Sequence, residues 1–288
     1  MQLLSVIIAS SRPISWVNTA FPFAAGYLLA GGGLSWQLIV GTLFFLIPYN
    51  IAIYGINDVF DYESDMRNPR KGGLEGAVLH PRWHAPVLWA AGLSTSPFLL
   101  ALIIGGTWAS TVWLAISMFT VIAYSLKGLR FKEKPVLDSI TSSSHFVTPA
   151  LVGATLVDPV IGKNFWIALA AFFLWGTASH AFGAVQDIRA DRDAGLSSIA
   201  TEFGARTTTR LTVLLYALAA LLVAFLPSPA WVVSLLGIGY VANTVRFWNV
   251  TDRTCEQTNR GWRIFLWLNY AVGAVVTMAL IAGVTPPA

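Results

Sequence analysis

Five residues carry most of the chemistry this sequence can offer. Asn57, Asp61 and Asp65 recur at i, i+4 and i+8, which on a helix sets them along one face. Asp187 and Asp191 repeat the i, i+4 step. Asp187 follows Asp61 by 126 positions, and Asp191 follows Asp65 by the same interval. Carboxylates at the ends of apolar segments are costly and repel one another, so they call for a cation. Hard oxygen donors with room for water suit Mg2+, which usually takes one or two carboxylates together with substrate phosphate oxygens. Two such clusters facing one cavity fit two Mg2+ around a diphosphate. Arg67, Arg70 and Lys71 follow the first cluster. Lys127, Arg130, Lys132 and Lys134 follow a later apolar run. Such cationic groups stabilise phosphate oxygens. A plainer account pairs the acids with Arg67, Arg70, Arg189 and Arg192 at solvated helix ends. Two clusters at matched spacing weigh against it.

The elements that must position these residues are apolar. The chain has 288 residues, 56% hydrophobic and 11% charged, with a mean hydropathy of +0.65. A soluble domain carries about 25% charged residues. An ordinary soluble globule, a disordered chain and a disulfide scaffold are therefore excluded. About nine runs are long enough to cross a bilayer, near 12–31, 36–60, 84–105, 107–125, 138–157, 163–187, 207–226, 228–248 and 262–284. The expected fold is an all-α integral membrane protein. About nine transmembrane helices surround a central cavity, as two pseudo-repeated four-helix halves plus one helix, in a single domain over 1–288. The connections alternate between nearly uncharged and strongly charged. Of 18 Lys and Arg, only Lys163 falls on the uncharged side. The positive-inside rule then places the N-terminus and the charged loops in the cytoplasm of a multi-pass plasma-membrane protein, with the C-terminus outside. No cleaved signal peptide is read at the N-terminus. The net charge of +4 does not point to nucleic acid, because the basic residues sit in loops rather than on a soluble face.

Asn57-Asp58-x-x-Asp61-x-x-x-Asp65 with Asp187-x-x-x-Asp191 resembles the UbiA superfamily of intramembrane prenyltransferases. Within it, the segments from Ser11 to Thr19, from Ile47 to Gly73 and from Phe265 to Tyr270 resemble actinobacterial lycopene elongases, which make C50 carotenoids. The resemblance implies a prenyltransferase, an enzyme transferring alkyl groups other than methyl. Its Mg2+ would be held by Asn57, Asp61, Asp65, Asp187 and Asp191. Asp61, Asp191 and Arg70 would be the catalytic set. Asn57, Arg67, Lys71, Lys127, Arg130, Tyr124 and His180 would bind substrate. Where many members carry a basic residue four positions after Tyr124, this chain has Gly128, with Lys127 one position earlier. The implied donor is dimethylallyl diphosphate and the implied acceptor lycopene, reached from the lipid bilayer.

Tyr54, Tyr124 and Phe182 are aromatic candidates for meeting a carbocation, with core packing as the alternative. His180 precedes Asp187 by seven residues, on the same helix face, and is a candidate for taking a proton or positioning water. His145 suits an inter-helix hydrogen bond, and His80 and His84 are expected in a solvated loop. Two other functions stay open. One keeps the enzyme and changes the acceptor to a quinone precursor or another aromatic ring. The other is a divalent-cation transporter, since intramembrane carboxylates often mark ion paths.

Overall fold

The computed structural model describes residues 3–66, 78–158 and 160–284, apart from the side chains at 64, 65, 283 and 284. Among the described residues there are helices and turns and no strand. Contacts divide the chain into two compact units, Met1–Phe131 with Ser144–Ile161, and Lys132–Ser143 with Gly162–Ala288. The division lies near the expected halves but runs through one long helix.

The first unit begins with α1 (Leu3–Ser10), an element ahead of the expected first span. It stops because Arg12 takes a left-handed conformation (φ 50°) before Pro13, which cannot donate a backbone hydrogen bond. There follow α2 (Val17–Leu29), α3 (Trp36–Leu46), α4 (Pro48–Phe60), the short α5 (Tyr62–Asp65), α6 (His84–Ile104) and α7 (Trp108–Ser125). The unit ends with the part of α8 (Leu137–Val157) beyond Ser143. One apolar segment is broken into α3 and α4 by Pro48. The carbonyls at the break are not stranded. Asn50 Nδ2 donates to Phe45 O at 2.9 Å and to Leu46 O at 3.1 Å. Thr19 Oγ1 donates to Phe45 O at 2.6 Å. Side chains thus replace the missing ladder bonds, as a membrane segment requires.

The second unit holds the start of α8, then α9 (Lys163–Val185), α10 (Ile188–Asp193), α11 (Ile199–Ala224), α12 (Trp231–Val245) and α13 (Asn259–Val284). Ser198 caps α11 by accepting from Thr201 N, and Thr201 Oγ1 in turn accepts from Ser198 N. Its core is aromatic: Tyr216 stacks on Tyr240 at 5.2 Å, and Trp262 on Phe265 at 4.7 Å.

Among the described residues, six helices are long and apolar enough to cross a membrane: Trp36–Phe60, Pro81–Ile104, Trp108–Ser125, Lys163–Val185, Ile199–Ala224 and Asp252–Ala282. The expected count of nine is not confirmed. α2 has 13 residues and α12 has 15, against about 20 for a full crossing. α8 has 21 but is rich in Ser and Thr. Trp36, Trp108, Trp166 and Trp231 are exposed near helix starts, as expected of an aromatic belt.

Small residues bring α2 and α8 close together in the first unit. A Cβ on Gly26 would strike the backbone of Ala150, and one on Gly153 would strike the carbonyl of Phe23. Gly92 on α6 has nothing within 4 Å of that position. Gly153→Ala should therefore lower the thermal midpoint in detergent, by about 1–3 kcal/mol of stability. Gly92→Ala should leave it unchanged or raise it, because alanine is the better helix former.

Candidate active site

The first acidic segment lies where α4 passes into α5. Gly55 admits α6 closely, since a Cβ there would lie 2.8 Å from Val87 Cγ1. One half-turn on, Ser125 Oγ donates to Asn57 Oδ1 at 2.9 Å and so orients the amide. Asp61 ends α4 (φ −100°, ψ −1°) and is 7% exposed. Arg130 Nη2 lies 3.7 Å from Asp61 Oδ1, while Nη1 donates to Phe60 O at 3.4 Å. Gly128 (φ 99°) and Arg130 (φ 39°) form the left-handed turn that brings this arginine back. Arg130 is therefore beside the first cluster, as the sequence suggests. Lys127 is exposed one turn earlier. Tyr124 meets His145 edge-on at 5.3 Å. The side chain of Asp65, and Arg67, Arg70 and Lys71, lie outside the described residues.

The sequence reading missed a buried ion pair here. Arg12 Nη2 lies 2.9 Å from Asp58 Oδ1, Asp58 is fully buried, and the guanidinium sits 4.5 Å over the ring of Tyr54. Tyr54 thus holds a protein cation. The signal was present as an arginine directly before Pro13 and an aspartate within the apolar end of α4.

The second segment repeats the backbone of the first. α9 ends at Val185, and Asp187 (φ −97°, ψ −6°) starts α10 with nearly the dihedrals of Asp61. Asp191 N donates to Asp187 O at 2.8 Å, so the two aspartates lie one turn apart. Both are half-buried. Arg189 and Arg192, which the plainer account pairs with the acids, reach Glu256 at 3.3 Å and Asp252 at 2.7 Å. His180 Nδ1 is 3.0 Å from Ser139 Oγ. Asp138, fully buried beside that serine, accepts from Ser139 N at 2.7 Å and Ile199 N at 2.8 Å. Phe182 is core: it packs against Phe247 and fills the space over Gly261. His80 is exposed as expected, but His84 is not a free loop residue. Its Nε2 is 2.9 Å from Leu79 O, and its ring meets Tyr62 edge-on.

Among the described residues, no group of three His, Cys, Asp or Glu side chains could hold a metal. Mg2+ does not need such a cage, because it keeps waters and shares phosphate oxygens with its substrate. Amide and carboxylate oxygens, with Asn57 already oriented by Ser125, form a donor set that fits it.

Apolar spanning helices broken at paired aspartate segments define the class of protein. The chain belongs to the UbiA prenyltransferase family, whose sequence model matches residues 19–269. It is an integral membrane prenyltransferase. It is 60% identical to a lycopene elongase/hydratase of Corynebacterium glutamicum, over 98% of each chain. It is also 52% identical, over 97% of its own length and 65% of the relative's, to a C(50) beta-cyclic carotenoids biosynthesis protein of a Dietzia species. A UbiA homologue from Archaeoglobus fulgidus, solved with DMAPP and Mg2+, shares the fold at TM-score 0.67 and 19% identity, over 93% of this chain and 99% of that one.

Removing Arg12 would take away the guanidinium that lies 2.9 Å from the buried Asp58 carboxylate. Arg12→Ala should destabilise the protein by about 3–5 kcal/mol, read as a lower detergent melting midpoint. Adding Asp58→Asn should recover most of that loss.

Proposed function

We propose that this prenyltransferase moves dimethylallyl groups from dimethylallyl diphosphate to the ends of lycopene, forming a C50 carotenoid with addition of water. The observation that carries this reading is the 60% identity, over nearly the whole of both chains, to the Corynebacterium glutamicum lycopene elongase/hydratase. Asn57, Asp61 and Asp65 of the first segment, and Asp187 and Asp191 of the second, would hold Mg2+ and, through it, the diphosphate of the donor. When bound, Mg2+ neutralises the leaving diphosphate and so assists its departure. Arg130 adds a cation beside Asp61, and Arg67, Arg70, Lys71 and Lys127 supply further ones. The C1–O bond of the donor breaks, and both electrons leave with the diphosphate.

Lycopene has no acidic proton and no heteroatom nucleophile. Its terminal double bond therefore attacks the allylic cation through its π electrons, leaving a tertiary cation on the polyene. A water molecule adds to that carbon, and one of its protons is lost to a base. His180, held by Ser139, lies two turns before Asp187 on α9 and is the candidate base. The charged loops face the cytoplasm, where the diphosphate donor is delivered, and lycopene enters from the bilayer.

The test is membrane or purified protein with Mg2+, dimethylallyl diphosphate and lycopene, followed by mass analysis. Gains of one and two C5 units, each with one water, are expected. Unchanged lycopene alongside transfer to an aromatic acceptor would overturn the acceptor. Asp61→Ala and Asp191→Ala should each abolish turnover while the protein remains inserted. Wild-type turnover in either would overturn the two-segment site.

A further inference from the structure

The second acidic segment is strapped along one side. Three side-chain pairs join it, in antiparallel order, to the stretch that leads into α13. Asn259 Nδ2 donates to Gln186 Oε1 at 2.6 Å. Arg189 Nη1 reaches Glu256 Oε1 at 3.3 Å. Arg192 Nη1 reaches Asp252 Oδ2 at 2.7 Å. Positions 186, 189 and 192 thus meet 259, 256 and 252. The second set lies on the 3₁₀ segment Asp252–Thr258 and the residue after it. Beneath the rungs lies an apolar floor of Val185, Ile188, Ala200, Ala205, Val250 and buried Cys255.

The last rung is built most firmly. Asp252 Oδ1 also accepts from Ala205 N at 2.7 Å. That amide is exposed to capture because Gly204 breaks α11 with φ 76° and ψ 163°. A Cβ on Gly204 would lie 3.2 Å from the same carboxylate. Arg192 Nη2 meanwhile donates to Thr201 O at 2.7 Å. One guanidinium and one carboxylate therefore join α10, α11 and the 3₁₀ segment at a single point. Each bond is of ordinary charge-assisted strength, but the fork fixes direction as well as distance.

This arrangement sets which way the aspartates face. At about 100° per residue, Arg189 and Arg192 project from the side of α10 opposite Asp187 and Asp191. The strap takes up the cationic side and leaves the acidic side turned away from it. We infer that Asp252, through Arg192, is a positioning residue for the Asp187–Asp191 pair, holding α10 in the rotation that presents both carboxylates to metal. The inference rests on the proposed metal role of that pair. Outer partners that orient ligands typically change metal affinity by ~10–100-fold when lost.

The test uses full-length protein in detergent with Mn2+ and inorganic pyrophosphate, and reads bound Mn2+ by electron paramagnetic resonance. Asp252→Asn keeps the acceptor for Ala205 N but loses the ion pair. Arg192→Lys keeps the charge but loses the fork. Both should weaken Mn2+ binding by about tenfold, with the melting midpoint held within a few degrees. If Asp252→Asn does not fold, Glu256→Arg, which opposes Arg189 on an exposed rung, should weaken binding in the same direction. Wild-type affinity in these variants, with Asp191→Asn impaired, would overturn the positioning role. Wild-type affinity in Arg192→Lys alone would assign the effect to charge and overturn it too. Wild-type affinity in Asp191→Asn would instead overturn the metal site itself.

Discussion

A carboxylate at the end of a hydrocarbon-embedded helix is tolerated only when a cation or a set of donors meets it. The architecture around both acidic segments follows from that constraint. Asp58, fully buried, has Arg12. Asp61 has Arg130, delivered by a left-handed turn. Asp138 is satisfied by two backbone N–H groups and anchors the starts of α8 and α11. The strained conformation of Arg12 belongs to the same account, because a left-handed residue costs about 1–3 kcal/mol and persists where surrounding contacts hold it. Here the ion pair and the Tyr54 ring hold it.

The acidic segments were readable because their chemistry is local. A step of four residues on a helix and a constant interval of 126 positions are properties of the sequence alone. The matched dihedrals of Asp61 and Asp187 give that interval a structural form: each segment begins at the same kind of helix break. The partners of these segments were not readable. Arg12 and Asp58 are 46 positions apart, and Arg189 and Glu256 are 67 apart. Nothing in the spacing of either residue names the other.

The count of nine spans is left unconfirmed for a related reason. Hydropathy measures composition, whereas helix ends are set by single residues. Pro48 divides one apolar run into two helices, and the repair by Asn50 and Thr19 depends on a neighbouring helix. Arg12 and Pro13 end α1, a short helix ahead of the expected first span, and α2 then starts only at Val17. Phe182 took the core-packing alternative, because an aromatic in a packed core and one lining a cavity share the same sequence signature. His84, expected in a solvated loop, instead starts α6 with its ring against Tyr62.

The two segments, alike in backbone, are held by different means: the first by scattered contacts from separate helices, the second by a ladder with a register. Surface connections ordinarily accept changes of length, because few contacts constrain them. The stretch from Val250 to Asn259 is an exception. Inserting one residue between Asp252 and Glu256 would turn the following rungs by roughly 100–120°, away from Arg189 and Gln186. A loop that looks free to drift in length is in effect ruled like a scale, its spacing matched rung by rung to Gln186, Arg189 and Arg192.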